Sequence, residues 1–510
     1  MILTPPLLDA QSPLVPMRPL TLLERFLAFF DTALVRMVAF AMLTPVMWQA
    51  LGETAFGVVA VGTALMGLLD WPMRAFSAAV TRTLLAAVRV DDYLRLRRVM
   101  LMGWLLMTAM GLLVAFALQS TRVQLVDLLG IEPPLTLDAQ DYIALTGLRL
   151  GAQASMSVWQ SAVLAAGLAS ELTVVRGVRT LAEILLAVAV ATGNVDLPSL
   201  GVLELLIVAL WGVALLYTRR RAGPGWLPTL TDFDWQTARQ LYAQGAMEAA
   251  QSTVFLLTFD VGVMVTALVQ GVESAALLAV VAVGCRLLAG TALQASELIF
   301  DRFSDLSVST TKMERRWLIR RATDAAGMTV GSLAVVWTVV GDRALATWLD
   351  VPPPHGVAPV VALLMTLSVL SVVAVRYLVR AGLESRLGPM AAGELMLTTV
   401  LSLGLIGPWG MRGVLLAIVL AHTCTLGWRA PWLVCRDLRI KPLLFARARI
   451  LRLGIGMGPP ILAGLALSSL RAVRTGRDLA LVAMICLILH AVAAWTSWHL
   501  LAQRLGVEND

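Results

Sequence analysis

The stretch RFLAFFDTALVRMVAFAM, Arg25 to Met42, decides how the rest of the chain is read. It has the length and apolarity of a membrane crossing, yet an acid and a guanidinium, Asp31 and Arg36, interrupt it. Placing charge where lipid belongs costs roughly 2.5–3.5 kcal/mol per group on insertion scales, so such groups face a cavity or a partner. The whole sequence has the same character. Of its 510 residues 58% are hydrophobic and only 14% charged, with a mean hydropathy of +0.81. A water-soluble domain of this size carries about a quarter of its residues as charges, and runs able to cross a ~30 Å hydrocarbon core recur throughout.

Marking these runs predicts about 14 crossings, centred near Arg36, Leu65, Met107, Ser155, Leu185, Val208, Leu256, Val283, Val336, Val369, Thr399, Ile418, Ile461 and Leu487. With the N-terminus inside, the basic segments RVDDYLRLRR, RRR at 219–221, KMERRWLIRR and RDLRIKPLLFARARILR fall on the cytoplasmic side. The opposite loops WQALGETAFG, GNVDLPS, VQGVES and LDVPPPHG hold no lysine or arginine. One loop, RAVRTGR at 471–477, breaks this pattern. Residues 1–24 are expected to form an interfacial or cytoplasmic tail rather than a signal peptide, being rich in proline and lacking a basic start. The net charge of +7 points to topology and anionic lipid, not to nucleic acid.

Several functions are disfavoured. The four cysteines have no paired or histidine spacing, so neither a disulfide framework nor a metal site is expected. There is no P-loop, HExxH or GxSxG pattern. The longest outer loop, about 119–141, is too short for a catalytic domain, so no enzyme is expected.

Two segments repeat. GVVAVGTAL at 57–65 echoes AVVAVGCRL at 279–287, and AGLASEL at 166–172 echoes AGLESRL at 381–387, at similar offsets. A duplication of six-helix halves follows, entering the membrane from the same side around a central cavity. The expected division is 25–221 and 236–436 for the bundles, 222–235 for a cytoplasmic linker, and 437–510 for an extra helix pair.

The segments FDVGVMVTALVQGVESAALLAVVAVGCRLL at 259–288, FDRFSDL at 300–306 and 381–422 carry a resemblance to a known group. They resemble Wzx-type polysaccharide flippases of the multidrug/oligosaccharidyl-lipid/polysaccharide exporter superfamily, over about residues 25–436. The chain departs from that family's usual frequent Tyr and Lys. The resemblance implies movement of a polyprenyl-pyrophosphate-linked oligosaccharide to the outer leaflet by alternating access, in a bacterial cytoplasmic membrane with both termini inside. It also implies membrane lipids as surroundings and the polysaccharide polymerase and assembly machinery as partners. A lipid II flippase and a multidrug or metabolite cation antiporter are the alternatives within the superfamily. A membrane-embedded polymerase or glycosyltransferase lacks the outer loop it would need.

Against that background Arg36, Arg74, Arg149, Arg286 and Arg376, from five expected helices, are candidate cavity cations. A guanidinium binds phosphate in bidentate fashion and stays charged at any relevant pH. Asp31, Asp70, Glu183, Glu248 and Asp260 are candidate cavity or ion-coupling acids, with proton or sodium as the ion and no cofactor; Asp260 also matches an acid of the resembled family. Glu297 and Glu394 are further charges within the runs. The plainer alternative is local neutralisation. Asp70–Arg74 and Arg179–Glu183 have i,i+4 spacing, and Arg376 lies near a helix end where it can snorkel.

Overall fold

The computed structural model describes residues 21, 23–24, 33–193, 195–220, 227–249, 254–300, 311–351, 356–383, 386–470 and 476–504. Asp31 and nearly all of the expected N-terminal tail lie outside them, as does most of the 471–477 loop. The elements are α1 (Ala33–Arg89), α2 (Tyr93–Leu128), α3 (Thr136–Ala165), α4 (Ala169–Ala191), α5 (Leu197–Arg219), α6 (Trp235–Ala249) and α7 (Val254–Gln270). They continue as α8 (Val272–Phe300), α9 (Lys312–Leu349), α10 (Val357–Arg380), α11 (Gly388–Cys424), α12 (Leu426–Asp437), α13 (Pro442–Leu470) and α14 (Gly476–Arg504). No strand occurs among the described residues, and seven helices among them are long and apolar enough to cross a membrane. The chain is an all-α polytopic membrane protein, and every expected crossing centre lies in a helix.

Two of these helices each contain a reversal. In α11 the side chains of Glu394 and His422 meet at 2.9 Å, although 28 residues of straight helix would separate them by about 42 Å. The chain turns back at Gly410, whose φ of +58° suits a residue without Cβ. Gly413 closes the turn, its Cα lying against the Leu405 carbonyl where no Cβ fits. In α1, Gly52 at φ +78° does the same, and the rings of Trp48 and Phe56 meet across it at 5.1 Å. Each of these two segments therefore holds two helical limbs, one for each expected crossing.

Helix ends follow local chemistry. Asp92 and Asp196 accept from the backbone amides of Arg95 and Ser199 at 2.9 and 3.0 Å. Thr311 and Glu314 form a reciprocal capping box at the start of α9. The start of α10 is held by a neighbour, Asp342 of α9, whose carboxylate accepts from Gly356 N at 2.6 Å and Ala358 N at 2.7 Å. The two repeated AGL segments form identical turns. Gly167 and Gly382 have positive φ, and the next leucine donates to the carbonyl five residues back, Leu168 to Val163 and Leu383 to Leu378. Helices α2 and α12 end the same way, so a common helix stop accounts for this match by itself.

The chain falls into two compact units, Met1–Thr253 with Thr266–Ala279, and Val254–Val265 with Val280–Asp510. In the first, α3 packs on α1, α2 and α5, and α4 on α1 and α5. Its core joins Met73, Phe76, Val80 and Leu84 of α1 to Leu96, Met100 and Met107 of α2 and Leu150 and Val158 of α3. Helix α6, beyond the boundary expected at 236, packs on α1 and α2 through Ala238 and Leu241. Small residues bring α2 and α3 together: a Cβ on Gly111 would stand 2.7 Å from the Gly151 carbonyl oxygen. In the second unit α9 packs on α10, α13 and α14, and α10 on α11 and α12. Leu112, Leu113 and Phe116 of α2 point outward, each more than 60% exposed, as a lipid-facing surface requires.

Candidate functional site

The candidate charges sort into three kinds. Arg74 is exposed and paired with the buried Asp70 one turn before it on α1. Arg179 donates to Glu183 at 2.9 Å and lies over the Trp211 ring at 5.0 Å. These are the same-helix pairs that i,i+4 spacing predicts. Arg36 and Arg376 stand on exposed faces of α1 and α10. The backbone of Glu248 lies in α6, and its side chain and that of Glu297 are outside the described set.

The third kind joins helices. In the first unit Arg149 of α3 forms an ion pair with Glu204 of α5, and both side chains are less than a fifth exposed. The Tyr142 hydroxyl, two turns earlier on α3 and fully buried, donates to the same carboxylate at 3.3 Å. In the second unit Arg286 of α8 pairs with the buried Asp260 of α7. Arg149 and Arg286 have no acid at i±3 or i±4, and the fold supplies one from another helix in each case.

The Arg149 pair leaves an arginine with a donor to spare. A guanidinium carries five N–H bonds, and one carboxylate engages at most two of them well. Arg149 Nε is buried and without a hydrogen-bond partner among the described residues. A phosphate oxygen is an acceptor such a group can take, while the paired carboxylate keeps the resting site close to neutral.

Sequence reasoning missed three things here. Glu204 sits inside the apolar run GVLELLIVAL and drew no notice beside the arginines. Asp324 of α9 binds both Arg449 and, at 2.9 Å, Arg452 of α13, fixing the penultimate helix. His422 was overlooked, although Glu394, its partner, stood out as a charge. Glu394 is completely buried; its Oε1 meets His422 Nδ1 at 2.9 Å and its Oε2 meets the Thr425 hydroxyl at 2.9 Å. No group of three or more metal-ligating side chains occurs among the described residues.

No family model matches the sequence, and no curated protein matches it. Solved structures do. A lipid II flippase, MurJ, in an inward closed conformation superposes with a TM-score of 0.68 at 10% identity, over 94% of this chain and 100% of that one. An inward-facing multidrug resistance MATE family transporter of the MOP superfamily gives 0.64 at 11% identity, over 80% of this chain and 98% of that one. A MOP superfamily transporter from Pyrococcus furiosus gives 0.53 at 11% identity, over 82% and 95%. Likeness at such identities is likeness of fold: the chain shares the fold of these solved transporters.

Proposed function

We propose that the chain is a flippase that carries a polyprenyl-pyrophosphate-linked oligosaccharide from the cytoplasmic to the outer leaflet by alternating access, for surface polysaccharide assembly. The observation that carries this reading is the extent of the match to the lipid II flippase, 94% of this chain against 80% for the multidrug transporter. The arginine content of the helices supports an anionic cargo. Arg149 and Arg286 bind the pyrophosphate in this reading, with Arg36, Arg74 and Arg376 as further cations along its route. Asp31, Asp70, Glu183, Glu248 and Asp260 neutralise these cations or carry a coupling ion. The membrane is the bacterial cytoplasmic one, with both termini inside.

The same match favours a second reading, a flippase for lipid II itself. Mass spectrometry of polyprenyl-linked lipids from cells depleted of the protein separates the two. A lipid-linked surface glycan that accumulates, protected from externally added enzymes, supports the first reading. Accumulated lipid II supports the second. If no polyprenyl-linked saccharide accumulates, both fall, and export of a small cation becomes the better assignment.

A further inference from the structure

Three arginines gather around a single acid where α9 meets α13. Asp324 of α9 accepts from Nη1 of Arg449 through one carboxylate oxygen and from Nη1 of Arg452, at 2.9 Å, through the other. Arg320 stands one turn before Asp324 on α9. It is close enough to repel the Arg449 guanidinium, and it has no ion pair among the described residues. A further turn back, Arg316 donates from Nε to the Leu438 carbonyl at 2.9 Å. Positions 316, 320 and 324, each four apart, therefore form one stripe of α9 that faces the chain entering α13.

One carboxylate cannot balance three guanidinium groups. The surplus charge lies where water barely reaches, with the side chains of Arg449 and Arg452 6% and 20% exposed. Nε of Arg449 and Nε of Arg452 are both buried and donate to nothing among the described residues. The Phe445 ring, at 5.5 Å, covers one face of the Arg449 guanidinium. Buried charge and unused donors are costly when nothing offsets them, so this cluster favours an added anion.

The surroundings say what kind of anion. Arg452 is the more open of the buried pair, and it is flanked on α13 by Leu451 and Ile455, both exposed. A ligand that reaches it crosses apolar surface, from which a soluble anion gains nothing and an amphiphile gains burial. Arg452 lies about 15 Å along α13 from its start, where the segment RDLRIK is basic, and a long side chain spans part of that depth.

We propose that Arg449, Arg452 and Arg320 form a seat for the phosphate of an anionic phospholipid whose acyl chains lie along the exposed face of α13. Arg452 meets the phosphate, and Arg449 and Arg320 supply charge behind it. In the expected topology this lipid belongs to the cytoplasmic leaflet, where anionic headgroups meet basic pockets between helices. The bound lipid braces α9 against α13. The site lies in the second unit and does not depend on the cargo.

The test is native mass spectrometry of the purified full-length protein in detergent, titrated with phosphatidylglycerol and, as reference, with zwitterionic phosphatidylcholine. The wild type binds its first phosphatidylglycerol about tenfold more tightly than phosphatidylcholine. Arg452→Gln loses that margin, which is the size of one charged hydrogen bond. Arg447→Gln, which removes an exposed arginine of the same helix, leaves it unchanged. Equal affinity for the two lipids, a full margin in Arg452→Gln, or an equal loss in Arg447→Gln overturns the proposal. Displacement of phosphatidylglycerol by inorganic phosphate overturns it too, since the site would then serve a soluble anion. Should Arg452→Gln fail to fold, Arg320→Gln decides, because it breaks no ion pair among the described residues. A reduced margin there supports the site, and an unchanged one overturns it. No lipid-linked saccharide enters this assay, so its outcome stands apart from the accumulation that tests the flippase reading.

Discussion

Arg149 reaches from α3 to the carboxylate of Glu204 on α5, and Tyr142 donates to that carboxylate from the same helix as the arginine. Removing the cation alone strands a shielded carboxylate. Arg149→Leu should therefore destabilise the protein by about 3 kcal/mol, in the range of broken buried pairs. Arg149→Leu with Glu204→Leu should recover most of that loss in thermal unfolding in detergent. If the double variant is stable but does not complement a deletion strain, Arg149 serves the cargo as well as the fold. Full complementation would reduce it to a structural residue.

Arg286 offers a finer test, because charge and shape can be separated. Lysine keeps the charge and can still reach Asp260, but it lacks the planar fork that suits phosphate. Arg286→Lys should preserve protein level and melting temperature while lowering flipping at least tenfold in a lipid-protection assay. Wild-type flipping in this variant would rule out a bidentate phosphate contact.

Glycines give a paired prediction of opposite sign. A Cβ at Gly57 of α1 would collide with the Val272 backbone carbonyl, whereas at Gly454 of α13 it would meet nothing within 4 Å. Gly57→Ala should cost about 1–3 kcal/mol through overpacking. Gly454→Ala should be neutral or stabilise by up to about 1 kcal/mol, the helix-propensity difference. Melting temperatures of the two variants should move in opposite directions or differ by several degrees.

Asp342 terminates the unsatisfied amides of a helix to which it does not belong. Asp342→Ala should cost about 1–2 kcal/mol, as loss of an N-cap does. Faster amide exchange should be confined to the first turn of α10, from Gly356 onward. Uniform loss of protection across α9 and α10 would mean that the carboxylate supports packing rather than capping.

Between α5 and α6, Asp232 accepts from the Thr229 backbone amide at 2.8 Å and its hydroxyl at 2.9 Å, with Arg97 of α2 3.9 Å away. The amide bond, helped by the hydroxyl and by Arg97 and Arg98, holds its carboxyl below the usual carboxylate range. A lowered value means the contact stabilises this segment above the ordinary carboxylate range near pH 4. That stabilisation disappears as pH falls through the lowered value. Protease cutting at 227–234 should rise on acidification in the wild type and be high at neutral pH in Asp232→Ala.

The sequence makes the helices legible because lipid imposes a strict length and polarity on each crossing. Even Thr399, in a segment interrupted by Glu394 and short of obvious boundaries, lies in the first limb of α11. Pairs within one helix turn were legible as well, since i,i+4 spacing is a local geometric fact, as Asp70–Arg74 shows. Partnerships between helices were not. Glu204 is 55 positions from Arg149, and His422 is 28 from Glu394 along an apparently continuous run. Only the packing of α3 on α5 and the reversal at Gly410 bring them together. A polar residue in an apolar run announces that it needs a partner without naming which one.

The meeting of Gly111 and Gly151 has a bearing on how little sequence such a crossing requires. What that crossing demands is vacancy, two places where nothing projects, and vacancy constrains only those two positions. Their neighbours facing the hydrocarbon, such as Leu112 and Phe116, can exchange freely among apolar types. Two chains built this way can share barely one residue in ten and still have the same crossing helices. The fold is then recorded in where side chains are missing more than in which ones are present.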